Sequence, residues 1–229
     1  RQRQMCIRDR IIEAGANVLR INFSHGTLED HENVISWARK SNKQVAIMQD
    51  IQGPKIRTGI ASENTFLEKS KNVTLTNIET ESNNDIVFIN YENLLRDVNV
   101  DDRVFIDDGQ IVLKVVEKEN DKLEALILIG GELRDNQGVA FPDSNLSVSA
   151  ITEKDKEHLK FGSEHDVDFV AVSFVRNASD INLVKEIIPK DVKVIAKIEL
   201  KTALDNIDEI LDVADGVMVA RGDLGVQLC

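Results

Sequence analysis

VLRINF (residues 18–23), LEDHENVISWARKS (28–41) and QVAIMQDI (44–51) follow one another along the chain. The first and last are short apolar runs rich in β-branched residues, which read as buried strands. The polar stretch between them reads as a helix with Leu28, Val34, Ile35 and Ala38 on or near its inner face. Two strands joined through a helix pair in parallel, because the crossover returns the chain to the same end of the sheet.

The same rhythm resumes far downstream. TEKDKEHLKFGSE (152–164) reads as a helix that Thr152 can cap and Asp155 can complete as a capping box. DFVAVSFV (168–175), VKVIAKIEL (192–200) and GVMVA (216–220) read as strands, with helices around 181–188 and 204–211 between them. Five parallel-type strands in βα alternation point to part of a TIM-type (β/α)8 barrel, although an open doubly wound sheet would show the same alternation. Between the two βα stretches the helical period disappears. NVTLTN (72–77), DIVFIN (85–90), DRVFIDDGQIVLKVVE (102–117) and KLEALILIG (122–130) are strand signals, and DDGQ (107–110) and NDK (120–122) are hairpin-type turns in which Gly and Asn tolerate positive φ. The organisation expected is therefore a foreign-looking leader (1–10), a first barrel part (11–58), an inserted small antiparallel β domain (59–142) and a second, truncated barrel part (143–229).

Composition narrows the function classes. With 229 residues, 42% of them hydrophobic, the chain can bury a substantial core. Forty acidic residues against twenty-eight basic give a net charge of −12, and no basic stripe is present to meet a phosphate backbone, so nucleic acid is not expected as a partner. The acidity reads as solubility. No apolar run approaches the ~20 residues that span a bilayer, so no membrane partner is expected either. The two cysteines, Cys6 and Cys229, stand at the extreme ends and say nothing about a disulfide framework. A cysteine-free body agrees with a reducing, cytoplasmic setting. The leader RQRQMCIRDR has four arginines and no apolar core, so it is not a secretory signal.

In a parallel α/β fold the reactive groups gather where strands end and loops converge. Here those ends carry Arg20, Asn22, Ser24 and His25; Asp50, Lys55 and Arg57; Ser173 and Arg176; Lys197 and Glu199; Arg221 and Asp223. Any one of them alone is more often a surface ion pair or a helix cap. Together they mix cations with carboxylates, which suits an anionic phosphate bound beside a divalent metal. Lys197 and Glu199 are two apart on an otherwise apolar strand, so they share a face, and two charges there are costly unless they serve a site. ARGDLG (220–225) reads as a tight turn whose backbone N–H groups meet a carboxylate while Asp223 points at a metal.

GANVLRINFSHG (15–26), QDIQGPKIRTG (49–59), TEKD (152–155), DFVAVSFVR (168–176), AKIE (196–199) and MVARGDLGV (218–226) resemble, in order and spacing, the signatures of the pyruvate kinase family in its bacterial form. The resemblance implies a (β/α)8 barrel with a mobile β lid at the insertion. It implies phosphoryl transfer from phosphoenolpyruvate to ADP, giving pyruvate and ATP, with magnesium as cofactor. It implies that Lys197 stabilises the phosphoryl group in flight, that Glu199 and Asp223 hold the magnesium, and that Arg20 meets the phosphate of phosphoenolpyruvate. Ser173, Arg176, Arg57 and the Gly222–Asp223 backbone would complete the substrate site. His25, Arg57 and Asn22 would contact nucleotide. Asn22, Ser24, Asp50 and the carbonyl of Ile51 match a monovalent-cation site, and Lys55 resembles the members in which potassium is dispensable. The parent enzyme would be a homotetramer.

Departures from the pattern are Leu200 after Glu199, where a polar residue is usual, and Gln137 and Ala140 in the insert, where many relatives have Lys and Asn. The first barrel strand, the last two βα units and the regulatory domain are not in this sequence, so a chain of this extent is expected to show no turnover by itself. A class II aldolase of the related barrel superfamily is the rival enzyme reading, and the β insertion after QGPKIRTG speaks against it. A non-catalytic relative that keeps the site by descent is the rival outside enzymes.

Overall fold

In the computed structural model, which describes residues 2–41 and 44–228, the chain runs α1 (Gln2–Glu13), β1 (Val18–Asn22), α2 (Leu28–Arg39), β2 (Ala46–Asp50), β3 (Phe66–Leu67), β4 (Asn72–Thr76), β5 (Ile86–Phe88) and α3 (Leu94–Asp97). It continues through β6 (Arg103–Ile106), β7 (Ile111–Lys118), β8 (Leu123–Ile129), β9 (Gly131–Glu132), β10 (Val139–Ala140), α4 (Glu153–Glu164) and β11 (Phe169–Val172). It ends with α5 (Ala178–Ile187), β12 (Lys193–Ile198), α6 (Lys201–Asp205), α7 (Ile207–Val213), β13 (Gly216–Val219) and α8 (Arg221–Leu228). The foreign-looking leader is helical, within α1. Cys229 lies outside the described residues.

One compact unit comprises Arg1–Gly53, Ala150–Ile198 and Ala203–Val219. Its sheet has the order β1-β2-β11-β12-β13, and every neighbouring pair is parallel. Spatial order equals chain order, so each strand adds on the same side of the one before. A doubly wound sheet reverses direction at a switch point. This sheet does not, and the ambiguity left by the βα rhythm resolves to a partial barrel.

Local sequence explains the helices that wrap this sheet. Thr27 caps α2 and Thr152 caps α4, each in a reciprocal capping box with the acid three residues on, Asp30 and Asp155. α2 buries His31, Ile35 and Ala38. Leu28, expected on that inner face, is 42% exposed. It is the first helical residue, and side chains tilt toward the helix N-terminus, so it hangs over the entering loop rather than the sheet. The single helix expected around 204–211 is two short helices, α6 and α7, divided at Asn206, whose side chain forms no capping bond.

The other unit comprises Pro54–Ser149, Glu199–Thr202 and Ala220–Cys229. It holds a six-stranded sheet in the order β10-β6-β7-β8-β4-β5 and a two-stranded ribbon of β3 and β9. β6, β7 and β8 form the expected antiparallel meander. In its first turn Asp107, Asp108 and Gly109 all take positive φ, so two aspartates share the left-handed strain that glycine alone was expected to absorb. β4 and β5 are parallel, not antiparallel. The segment joining them is too long for a tight hairpin turn, and it crosses over before re-entering the sheet. Alternate residues of the strands, among them Val73, Leu75, Val104, Ile106, Leu113, Val115, Ala125 and Ile127, fill one core.

A buried carboxylate ties the end of this segment to α3. Asp97 accepts from the Ser147 hydroxyl and backbone N–H, from the Tyr91 hydroxyl and from Arg96. Burial pushes its carboxyl up, but these donors together outweigh burial and hold it far below the usual carboxylate range.

Candidate active site

The parallel register fixes which residues meet at the C-terminal end of the sheet. Asn22 aligns with Asp50, Asp50 with Ala171, and Ala171 with Ile195. Two residues further along the last two strands stand Ser173 and Lys197. Side chains two apart on a strand point to the same face, so Asp50, Ser173 and Lys197 converge there.

Their geometry is a connected network. Lys197 Nζ lies 3.2 Å from Asp50 Oδ1 as an ion pair, off the line of a hydrogen bond. The same ammonium donates to Ser173 Oγ at 2.8 Å, and that hydroxyl donates to the carbonyl of Ile51 at 2.7 Å. Arg20 Nε donates to Asp50 Oδ2 at 2.6 Å. The Asp50 and Lys197 side chains are 3% and 10% exposed, whereas that of Arg20 is 50% exposed. A buried lysine therefore sits beside a buried carboxylate, with a half-exposed guanidinium on the carboxylate's other oxygen. The ammonium is aimed by Ser173 and charge-compensated by Asp50, in a place where apolar strands exclude water.

The loop after β1 is anchored by Phe23, whose ring lies 4.0 Å from that of His31 and 5.1 Å from that of His158. Burial holds both histidines below their usual range, in His31 against the pull of Asp30. Asn22 Oδ1 accepts from the Ser24 amide at 2.9 Å in a local turn, and His25 is exposed at its tip. Arg176 is engaged at the start of α5, where Asp180 pairs with its guanidinium at 2.9 Å and accepts from its amide. Asp155, besides closing the cap of α4, accepts from the Gly53 amide through its other oxygen at 3.2 Å.

The remaining expected residues belong to the other unit. Arg57 donates its amide to Asn90 Oδ1 and its guanidinium to the carbonyl of Asn136, which ties it into the β body. Lys55 is half-buried. Gln137, where the resemblance leads one to expect lysine, is buried; its Oε1 accepts from the Arg134 backbone amide and its own backbone N–H donates to Thr58 Oγ1. It is a packing residue of this sheet. Glu199 is 2% exposed at the end of β12. Gly222 and Asp223 lie exposed in the first turn of α8. ARGDLG is thus a helix start rather than the tight turn expected, although it too offers unsatisfied backbone N–H groups to an anion.

Among the described residues, no group of three or more His, Cys, Asp or Glu side chains is arranged to hold a metal. Of the two carboxylates expected to hold magnesium, Glu199 follows β12 and Asp223 stands in the first turn of α8; a magnesium ion bound mostly by substrate phosphates and water would need no more than one or two such protein ligands. A polar cleft lined by Asn17, Arg39, Gln44 and Asp168 opens at the N-terminal ends of β1, β2 and β11, away from this chemistry. Its arginine is engaged by Asp168 and the carbonyl of Val45. No helix among the described residues is long and apolar enough to cross a membrane.

Sequence reading named Ser173 and Asp50 as strand-end polar groups but missed their connection through Lys197. It named Asp155 only as a cap. Asp50–Lys197 and Asp155–Gly53 join residues more than a hundred positions apart, whereas Ser173 and Lys197 are 24 apart and stand on neighbouring strand ends.

Comparison with known proteins supplies the family. Residues 2–229 match the family model described as pyruvate kinase, barrel domain. The pyruvate kinase of Thermotoga maritima is 42% identical over 228 residues, covering 96% of this chain and 49% of the relative. That of Staphylococcus aureus is 42% identical over 230 residues, covering 96% of this chain and 39% of the relative. The chain thus spans about half the length, or less, of the curated relatives it matches. With a family model covering nearly every residue and a parallel sheet wound as a partial barrel, the chain belongs to the pyruvate kinase family.

Proposed function

We propose that the full-length protein containing this chain transfers the phosphoryl group of phosphoenolpyruvate to ADP, releasing pyruvate and ATP. The observation that carries the reading is the buried Lys197 ammonium, compensated by Asp50 and aimed by Ser173 at the C-terminal end of a parallel sheet. In the reaction the bond from phosphorus to the enol oxygen breaks as a bond to the β-phosphate oxygen of ADP forms, and the released enolate takes a proton. Such a transfer asks the protein for position and charge neutralisation rather than covalent chemistry. Lys197 would neutralise charge on the phosphoryl oxygens, and Arg20, held by Asp50 but half exposed, would meet the phosphate.

Ser173, Arg176 and Arg57 would line the substrate site, the Gly222–Asp223 amides would receive the carboxylate, and His25, Arg57 and Asn22 would contact nucleotide. Glu199 and Asp223 would hold magnesium, which when bound withdraws charge from the phosphates. The same reading implies a cytoplasmic homotetramer.

Asn22, Ser24, Asp50 and the Ile51 carbonyl would form the monovalent-cation site. Lys55 supports a potassium-independent enzyme, because a lysine ammonium ~4 Å from the transferring group contributes on the order of 4 kcal/mol at an effective dielectric of 20. Velocity in tetramethylammonium should then hardly respond to potassium chloride at constant ionic strength; strong activation would refute the assignment. The central test is a coupled pyruvate assay on the full-length enzyme. Lys197→Ala should lower kcat by about a hundred- to a thousandfold. A loss below tenfold would remove Lys197 from the chemistry.

A further inference from the structure

We infer that Asp155 is a positioning residue for Lys197, acting through the Gly53 backbone; the inference rests on the proposed role of that lysine. Asp155 is fully buried. Its Oδ2 accepts from the Thr152 amide and hydroxyl at 3.0 and 2.6 Å, the ordinary work of a capping box. Its Oδ1 does something a cap does not require: it accepts the Gly53 amide, 102 positions away in sequence, at 3.2 Å. The helix start and the loop after β2 are thereby joined through one side chain.

What Gly53 touches makes that link matter. Gly53 has φ +67° and meets Phe174, itself at φ +56° although it is not glycine. A Cβ on Gly53 would lie 3.0 Å from Phe174 Cδ2, 3.3 Å from the Ser173 carbonyl oxygen and 3.4 Å from Ser173 Cβ. Gly53, left-handed itself, therefore packs against the ring of the left-handed Phe174 and against the carbonyl and Cβ of Ser173. Left-handed backbone at a bulky residue persists only where its surroundings over-determine it, and such strain concentrates at functional sites. Two residues before Gly53 stands the Ile51 carbonyl, which accepts the Ser173 hydroxyl whose oxygen receives Lys197 Nζ. The path is continuous: Asp155 fixes Gly53, Gly53 fixes the carbonyl of Ile51 and the seat of Ser173, and Ser173 aims the ammonium. A misplacement of about 1 Å at reacting groups can lower a rate a hundredfold, so the loop cannot drift without a kinetic consequence.

An asparagine at position 155 has one acceptor oxygen and cannot serve both the cap and Gly53, whereas Thr152→Ala weakens the cap and leaves the Asp155–Gly53 bond in place. In the full-length enzyme, Asp155→Asn should lower kcat at least tenfold with the KM for phosphoenolpyruvate within about threefold. It should also raise hydrogen exchange in the peptide 49–57. Thr152→Ala should lower the melting temperature comparably yet keep kcat within twofold. Ser173→Ala, which cuts the path without touching the cap, should lose kcat as Asp155→Asn does, and it stands in if the latter does not fold. Unchanged kcat in Asp155→Asn or in Ser173→Ala, or an equal loss in Thr152→Ala, would overturn the inference. Those results alongside an inactive Lys197→Ala enzyme would sink the positioning role alone. A fully active Lys197→Ala enzyme would sink the proposed function and this inference with it.

Discussion

Replacing Asp50 by asparagine tests the electrostatic logic of the site without reference to activity. Lys197 is nearly buried and lies 3.2 Å from the Asp50 carboxylate. Removing one member of a buried ion pair in a low-dielectric place costs about 3–5 kcal/mol. The Arg20 contact adds little to this sum, because an ion pair with a half-exposed partner is worth at most about 1 kcal/mol. Asp50→Asn should therefore destabilise the chain by about 3–5 kcal/mol and Arg20→Gln by about 1 kcal/mol or less. Lys197→Met should cost less than Asp50→Asn, since Arg20 still faces the orphaned carboxylate. The two residues touch, so the double variant should be more stable than additivity predicts by at least about 2 kcal/mol. Urea unfolding of the four species at neutral pH measures the cycle, with equal slopes required so that midpoints report stability. Additivity within about 0.5 kcal/mol would show that the two charges do not compensate one another, and the electrostatic account of the site would fail.

Gly162→Ala should destabilise, although alanine ordinarily gains about 1 kcal/mol over glycine inside a helix. The added Cβ would stand 2.1 Å from Oε1 of the fully buried Gln49, whose amide is held by the His158 carbonyl at 2.6 Å, and overpacking of this kind costs about 1–3 kcal/mol. Urea midpoints should fall in Gly162→Ala and recover in part in Gly162→Ala/Gln49→Ala; a stabilised single variant would contradict the packing. Stability should also fall as pH drops below about 6.5. His31 and His158 have depressed folded pKa values, so the unfolded chain binds more protons in that window, and the stability they contribute is present above the unfolded pKa and lost below it. Comparing unfolding at pH 7.5 and 5.5 should show a smaller loss in His31→Phe/His158→Leu than in the parent, and an identical loss would remove the histidines from the explanation.

Much of the fold was legible because its signals are local. The strand–helix–strand pattern of 18–51 needs only periodicity, and the Thr152–Asp155 box needs only four residues. What stayed hidden depends on contacts formed after folding. Nothing near Leu28 shows that the first turn of α2 overhangs a loop, and nothing within 72–88 shows that β4 and β5 pair in parallel. The helix start at ARGDLG was misread for a related reason: glycine serves both a tight turn and an exposed first helical turn, and only the continuation as α8 separates them.

The candidate site divides along the same line, and its register shows why one of its contacts was within reach. Lys197 on an apolar strand demands a counter-charge, and sequential parallel order puts β11 between β12 and β2, whose end carries Asp50. The ammonium can reach Asp50 only if the face of β11 between them carries small side chains. It does: Ala171 lies in register with Asp50, and Ser173 follows on the same face, where it both admits the lysine and binds it. Ala171 and Ser173 in FVAVS are thus an intelligible signal once the strand order is known, whereas the Asp155–Gly53 bond has no such signature. The carboxylate that makes it is already accounted for by its cap, so the sequence gives no reason to look for a second partner. Residues whose local role is complete are where a site's supporting contacts stay hidden.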